Sequence, residues 1–286
     1  MQLNLWLIIA LFFVLAAFGS VVFGRKPGPG LKVISWNIRF DNPADGVHRW
    51  QNRRERVFNF LKQQAPDIIG LQEVLHNQLE DLSTNSSARY TWLGVGRDDG
   101  SRAGEYSPIG YNHHQLELLQ QGVLWLSETP GQVSVGWDAH LPRICSWAQF
   151  RHIEKQTIFW VFNTHFDHAG TVARQKSAQL LADSIQNWCA HQPVLLLGDL
   201  NEGPDGAVVR TLLLAGLNDS RLNADSSSGS TATFHGFTDK DPRSKRIDFI
   251  FYKGWSGVNE YQVPLLVDEK GHYASDHAPV VAHLKW

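Results

Sequence analysis

Seven short apolar runs punctuate the chain: Leu31 to Trp36, Asp67 to Leu71, Ile144 to Phe150, Thr157 to Phe162, Pro193 to Leu197, Ile247 to Tyr252 and Pro279 to Leu284. Their shortness and their Val, Ile, Leu and Phe content predict buried strands. Between them the spacing changes to that of a helix. Trp50, Val57, Phe60 and Leu61 fall on one helical face before Pro66 stops the run, and Ala178, Leu181, Ile185 and Trp188 do the same further on. Ile153 to Gln156 reads as a hairpin turn, and Asp225 to Ser230 as a Ser/Gly loop. Strands joined by both helical crossovers and a hairpin imply mixed sheet with helices packed outside. No repeat interrupts residues 31 to 286, so that stretch reads as one domain.

The N-terminus follows a different pattern. No charged side chain occurs from Gln2 to Gly24, and Leu5 to Phe23 is nearly all apolar, enough to cross roughly 30 Å of hydrocarbon as a helix. Residues 1–26 are therefore expected to be a single-pass membrane anchor, with 27–30 as a Pro/Gly linker. A cleaved signal segment is the alternative, because Ala17 and Gly19 are small; it would leave the body secreted or periplasmic. Against it, no Lys or Arg precedes the apolar run. Arg25 and Lys26 are too few to fix the side of the membrane on which the body lies.

Charge and cysteine content narrow the chemistry. Twenty-six Lys and Arg against 28 Asp and Glu give a net charge of -2, which disfavours sequence-independent grip on a long polyanion and leaves small phosphate esters open. Cys145 and Cys189 are too few for a thiolate zinc site or a disulfide framework and are expected to be buried free thiols. Most tryptophans belong to the core by default, and Arg53, Arg54 and Arg56 read as a solvated helix face.

The strand ends carry the chemical signal. Asn37, Glu73, His165 with Asp167, and Asp199 with Asn201 follow the C-terminal ends of predicted strands, whereas Asp248 and the Asp276–His277 pair stand at N-terminal ends. All can share one rim only if the later strands run opposite to the earlier ones. That disfavours an all-parallel barrel, whose site uses C-terminal strand ends alone. Glu73, Asp199, Asp248 and Asp276, with Asn37 and Asn201, form an oxygen-rich set suited to Mg²⁺ or Mn²⁺. His165 and His277 can move protons or contact phosphate near neutral pH. Lys245 and Arg246 adjoin Asp248 and are candidates for phosphate contact.

The ordered segments SWNIRF, GLQEV, GEYSPIGYN, NTHFDH, LLLGDLNEGPDG, KRIDFIFY and SDHAPVVAHL resemble the motif series of the endonuclease/exonuclease/phosphatase superfamily, the deoxyribonuclease I-like fold. The resemblance implies a four-layer α/β sandwich, with two mixed β-sheets packed face to face and helices outside. It implies a divalent-metal-dependent hydrolase of phosphoester bonds, a phosphodiesterase, nuclease or phosphatase, that uses a metal-activated water. Carried over residue by residue, it makes Glu73 the principal ligand of Mg²⁺ or Mn²⁺, with Asn37 and Asp276 assisting. Asp199 would orient or deprotonate the attacking water, Asn201 would bind the phosphate, and Asp248 would orient His277 beside it. His165 would be a second imidazole with Glu105 as its carboxylate partner. Arg39 stands where the abasic-site repair branch carries Asp, which speaks against abasic-site cleavage, and the SWNIRFDNPADG start, with Trp50 and Arg54 following, looks more like a bacterial-type branch akin to the nocturnin and deadenylase side.

Two alternatives compete with this reading. His165-x-Asp167-His168 is half of the metallo-β-lactamase H-x-H-x-D-H signature of a dinuclear zinc hydrolase, but residue 163 is Asn and the first ligand is missing. A membrane-tethered binding module that kept the fold and lost catalysis is the other, weakened by the complete set of polar residues. His168 is either site rim or local turn. The expected partners are a phosphoester, whether nucleic acid, nucleotide, small or lipid phosphate, and a membrane through residues 5–23; nothing points to a protein partner.

Overall fold

The computed structural model describes residues 30–189, 191–238, 240–241 and 245–286. The expected anchor or signal segment, residues 1–26, and residues 27–29 of the linker lie outside the described residues. Among the described residues no helix is long and apolar enough to cross a membrane.

Strand alternation sorts the apolar side chains into three layers. A seven-stranded sheet runs in the order β10 (Ala224–Gly229), β12 (Gly257–Val263), β13 (Val280–Lys285), β1 (Gly30–Asn37), β2 (Ile68–Gln72), β4 (Ile109–Asn112), β3 (Tyr90–Leu93). A six-stranded sheet runs β5 (Leu116–Trp125), β6 (Ile144–His152), β7 (Ile158–His165), β8 (Val194–Asp199), β11 (Asp248–Lys253), β9 (Asn218–Asp219). Both are mixed. β1 pairs parallel with β2 and antiparallel with β13, and β8 pairs parallel with β7 and antiparallel with β11. The later strands thus reverse direction, as the strand-end argument requires.

Leu31 and Val33 of β1 face Phe159 and Val161 of β7, Leu195 and Leu197 of β8 and Ile250 of β11, forming the core between the sheets. The alternate residues face outward. Ile34 and Trp36 pack under α1 (Trp50–Gln64) and α2 (His76–Ser86), while Phe162, Leu196, Phe249 and Phe251 pack under α3 (Thr171–Cys189) and α4 (Ala207–Leu214). Helix, sheet, sheet, helix is the four-layer sandwich that the motif series implied. Each fully buried Phe or Leu contributes about 2 kcal/mol of transfer free energy, and a two-residue alternation serves both faces of each sheet at once.

Three local expectations need correction. β1 begins at Gly30, inside the expected linker, because Gly30 pairs with Lys285 of β13. The Ser/Gly stretch is an edge strand, β10, paired parallel to β12; an exposed edge is held by backbone hydrogen bonds and needs no apolar side chains. Arg53 is fully buried rather than solvated, its guanidinium donating to the carbonyls of Ile38, Arg39, Phe40, His48 and Ala274. That clamp ties the chain leaving β1 to the segment entering β13. Cys145 and Cys189 are buried and free, as expected.

Candidate active site

The inward-facing rows of the central strands change character at one end. Along β1 the row runs Leu31, Val33, Ser35, Asn37; along β7, Phe159, Val161, Asn163, His165; along β8, Leu195, Leu197, Asp199. In β11 the antiparallel direction places Asp248 first, directly across from Asp199. His165 lies across from Asp199 on the other side. A polar layer separates this end from the apolar core. Gln72 donates to Asn163 Oδ1 at 2.7 Å, and Asn163 donates to the carbonyls of Leu71 and Pro108, so the two sheets are hydrogen-bonded below the site. Gly70 makes room for this bridge, since a Cβ there would stand 2.7 Å from Asn163 Oδ1. Asn163 is thus a sheet-to-sheet tie and not a missing metal ligand.

Above that layer lies a connected constellation. His277 Nδ1 donates to Asp248 Oδ2 at 2.8 Å, and its Nε2 stands 3.7 Å from Asp199 Oδ2. Asp199 also accepts from Asn37 Nδ2 at 3.0 Å and from the Asn201 backbone N–H at 2.9 Å. Asn37 Nδ2 reaches Glu73 Oε1 at 2.9 Å. Asn201 Nδ2 donates both to the Phe166 carbonyl and to His165 Nε2, each at 3.0 Å. His165 Nε2 is therefore the acceptor, which leaves the ring hydrogen on Nδ1. Arg39, Glu73 and Asn201 all take left-handed backbone conformations, with φ of 57°, 59° and 50°. Such a conformation costs about 1–2 kcal/mol for a non-glycine residue, least for Asn, and sets these residues just past the strand ends, where they face the cleft.

Charge in the cleft is distributed unevenly. Burial, reinforced by the Asp248 charge, lifts the Asp199 carboxyl to about 7. Burial opposes a charge on His277, but the Asp248 carboxylate overrides it, with Asp199 and Asp276 adding, and the ring rises to about 10. His165 moves the other way, well below its ordinary range, through burial and the neighbouring cations Arg143 and Arg97. Asp276 is raised by burial, with Glu73 adding to that rise against the opposing charge of His277. Arg39 lies 3.8 Å from Glu73 Oε2 and 3.9 Å from Asp276 Oδ2, so both carboxylates face a single cation position. The half-buried Glu73 and the buried Asp276 make a hard oxygen pair that fits a small divalent ion, whereas the Asn37 amide presents Nδ2 to Glu73 and Asp199 and its Oδ1 accepts from the Arg39 N–H, so it adds an oxygen only by turning over.

Most of the expected site residues converge here: Glu73, Glu105, His165, Asp199, Asn201, Asp276 and His277 line one cleft, with Asn37 and Asp248 buried behind them. Glu105 stands 3.8 Å from His165 Nδ1, but its hydrogen bonds go to Arg97, at 2.8 and 3.0 Å. Arg246 does not reach the cleft. It is buried in an ion pair with Asp219 of β9 and lies 4.3 Å over the Phe249 ring, while its neighbour Lys245 lines the cleft instead. A one-residue step along an extended chain reverses the side, and only the unexpected strand β9 reveals Arg246's partner. Sequence reasoning missed Arg143 and Phe234, which also line the cleft.

The geometry does not favour the zinc alternative. Asp167 accepts from Arg143 and from three backbone N–H groups, and His168 Nδ1 also takes a hydrogen from Arg143. Among the described residues, the one set of three His, Cys, Asp or Glu with ligand atoms within 4.8 Å of each other is Asp199, Asp248 and His277. In that set His277 Nδ1 is already hydrogen-bonded to Asp248.

The chain's resemblances agree with this geometry. It matches solved structures of an endonuclease/exonuclease/phosphatase from Bacteroides vulgatus, at 37% identity over 89% of this chain and 98% of that one with a TM-score of 0.85, and of a mannosyl-6-phosphatase from Bacteroides thetaiotaomicron, at 34% identity over 90% and 100% with a TM-score of 0.83. The human nocturnin catalytic domain shares the fold at 21% identity, 90% and 94% coverage and a TM-score of 0.70. An uncharacterised protein of Acanthamoeba polyphaga mimivirus is 32% identical over 186 residues, 60% of this chain and 67% of that one. The model of the Endonuclease/Exonuclease/phosphatase family matches residues 34–277. The chain belongs to that family, and with it to the hydrolases of phosphoester bonds.

Proposed function

We propose that this chain is a divalent-metal-dependent phosphomonoesterase acting on a small phosphorylated sugar. The observation that carries the hydrolytic reading is the buried relay from Asp248 through His277 to Asp199, with distances of 2.8 and 3.7 Å. The similarity to the mannosyl-6-phosphatase, 34% over nearly the whole of both domains, supports the sugar monoester. The near-neutral charge balance of the whole chain points the same way.

Glu73, Asp276 and Asn37 would hold Mg²⁺ or Mn²⁺, which when bound supplies positive charge toward the phosphoryl oxygens. The remaining work belongs to the side chains. Asp199, raised to about 7, is poised to orient a water and accept its proton at Oδ2 as the water oxygen attacks phosphorus. His277, held cationic by Asp248, faces the charge that develops on the phosphoryl group. Asn201 donates to Nε2 of His165 and fixes its ring beside it, while burial with the charges of Arg143 and Arg97 keeps that ring neutral. The phosphorus–oxygen bond to the sugar breaks, the leaving oxygen takes a proton from His277 Nε2 and departs as the free alcohol, and the proton held on Asp199 restores His277 across the 3.7 Å between them as phosphate leaves.

The test is turnover by the purified full chain of mannose 6-phosphate, p-nitrophenyl phosphate and bis-p-nitrophenyl phosphate with Mg²⁺, Mn²⁺ or EDTA. Monoester hydrolysis that stops in EDTA and in Asp199→Ala is expected. Hydrolysis of the diester alone, or turnover indifferent to EDTA, overturns the reading.

The apolar run from Leu5 to Phe23 supports a membrane tether for this enzyme. Gly30 and Asn37 are opposite ends of β1, about 23 Å apart at 3.3 Å per residue. A tether entering at Gly30 attaches at the end of the sandwich away from the cleft. Recovery of the full chain in the soluble fraction after gentle lysis would contradict the tether.

A further inference from the structure

The second half of NTHFDH, which the catalytic constellation does not use, builds a separate device on one wall of the cleft. Asp167 is its anchor. One carboxylate oxygen accepts the Ala169 and Gly170 N–H groups at 3.0 and 2.7 Å, and the other accepts the His140 N–H and Arg143 Nε, each at 3.2 Å. Arg143 is therefore fixed, 4% exposed, on the cleft wall. Its Nη2 lies 3.0 Å from His168 Nδ1. Arginine has no acceptor, so Nδ1 of His168 must be the acceptor and the ring hydrogen sits on Nε2. His168 is exposed and lines the same cleft as His165, Asp199 and Asn201. Arg143 Nη1 is buried and has no partner among the described residues. A buried donor left unpaired is costly and calls for an acceptor.

We infer that His168, oriented by Arg143 and Asp167, is a specificity-determining residue that donates from Nε2 to a hydroxyl oxygen of the alcohol esterified to the phosphate, with Arg143 Nη1 as a second donor to the same ligand. The class of substrate this wall selects is a polyhydroxylated alcohol, a hexose monophosphate. A flanking phosphate of a nucleic acid calls for a cation free to move to it; here Arg143 is held by Asp167, and the His168 ring is held at Nδ1 by Arg143. Two fixed donors with no acceptor between them suit hydroxyl oxygens. The inference rests on the phosphomonoesterase reading and adds the basis of its substrate preference.

The experiment compares the full chain with His168→Ala and His168→Gln, the latter keeping an N–H donor. The reading is the ratio of kcat/KM for mannose 6-phosphate to that for p-nitrophenyl phosphate. His168→Ala should lower the ratio about tenfold, through KM for the sugar ester rather than kcat, and His168→Gln should recover most of it; one hydrogen bond made in the ground state acts on KM. A ratio unchanged in His168→Ala, whether both substrates suffer equally or neither does, overturns the inference. If the unaltered chain turns over neither ester, the phosphomonoesterase reading fails by itself, and calorimetry in EDTA decides the subsite. His168→Ala should then lower the preference for mannose 6-phosphate over inorganic phosphate about tenfold; an unchanged preference, or no binding of the sugar ester to the unaltered chain, overturns it.

Discussion

His277 and His165 sit on opposite walls of one cleft, 5% and 6% exposed, and end in opposite protonation states. Burial pushes both toward the neutral form. On the β13 side, Asp248 accepts from His277 at 2.8 Å with no arginine among the described residues hydrogen-bonded to it, and the ring stays charged to about 10. On the β7 side, Glu105 is 3.8 Å from Nδ1 and held bidentately by Arg97, and Asp199 is 3.6 Å from Nε2, which already accepts from Asn201, so neither carboxylate takes a hydrogen bond from the ring. Arg143 adds repulsion. The lesson is that a carboxylate near a buried imidazole charges it only when that carboxylate is not already engaged. One wall thereby offers a cationic imidazole for a phosphoryl group, and the other a neutral imidazole beside a fixed arginine.

The largest test of this division is His277→Ala, which should lower kcat/KM by about 10³-fold, within the range for a lost acid–base or charge-stabilising group. His165→Ala should cost less, about tenfold, because a neutral ring contributes position rather than charge; equal losses at both positions would erase the division. Asp248→Asn should lower activity about 10²-fold and bring the His277 titration down from about 10 toward its ordinary 6.5. The stability that His277 gains from Asp248 has a defined sign. A group raised in the folded state contributes in full below 6.5 and loses that contribution as pH rises toward 10, so the difference in stability between the unaltered chain and Asp248→Asn should shrink over that interval. Arg97→Met should raise the His165 pKa by removing a repelling cation and releasing Glu105, a change readable by NMR. The smallest effect concerns Asp167, held near 2 against its burial by the Gly170 and Ala169 N–H groups and Arg143. A depressed carboxyl stabilises above its ordinary 3.8 and loses that contribution as pH falls to about 2, so Asp167→Asn should flatten the acid limb of a melting-temperature profile and lower Tm at pH 7 by about 3 °C.

The fold was legible where periodicity was strong. All seven apolar runs became strands, both amphipathic runs became helices, and the polar residues at their ends met because β11 and β13 run against β8 and β1. Where one face is solvated or an edge is free, the pattern fades. β10 is six residues of mostly exposed Ser, Asp and Gly, and β5 carries polar residues through its middle. Charged residues were the harder problem, because their placement depends on distant partners. Arg53 looks solvated until the carbonyls of Ile38 and Ala274 close on it, and Arg246 looks like a phosphate contact until Asp219 arrives from β9. Arg143 lies within LPRICS, with no local sign that Asp167 and His168 will hold it.

The central claim is that two equally buried imidazoles in this cleft carry different charges. It is tested most directly by a ¹⁵N histidine NMR titration of the metal-free protein in EDTA, with His165→Ala and His277→Ala used to assign the two rings. The account predicts that His277 remains doubly protonated through neutrality and titrates only toward 10, while His165 is neutral at pH 6.5 with its hydrogen on Nδ1. Titration of both rings together near 6.5 would contradict it.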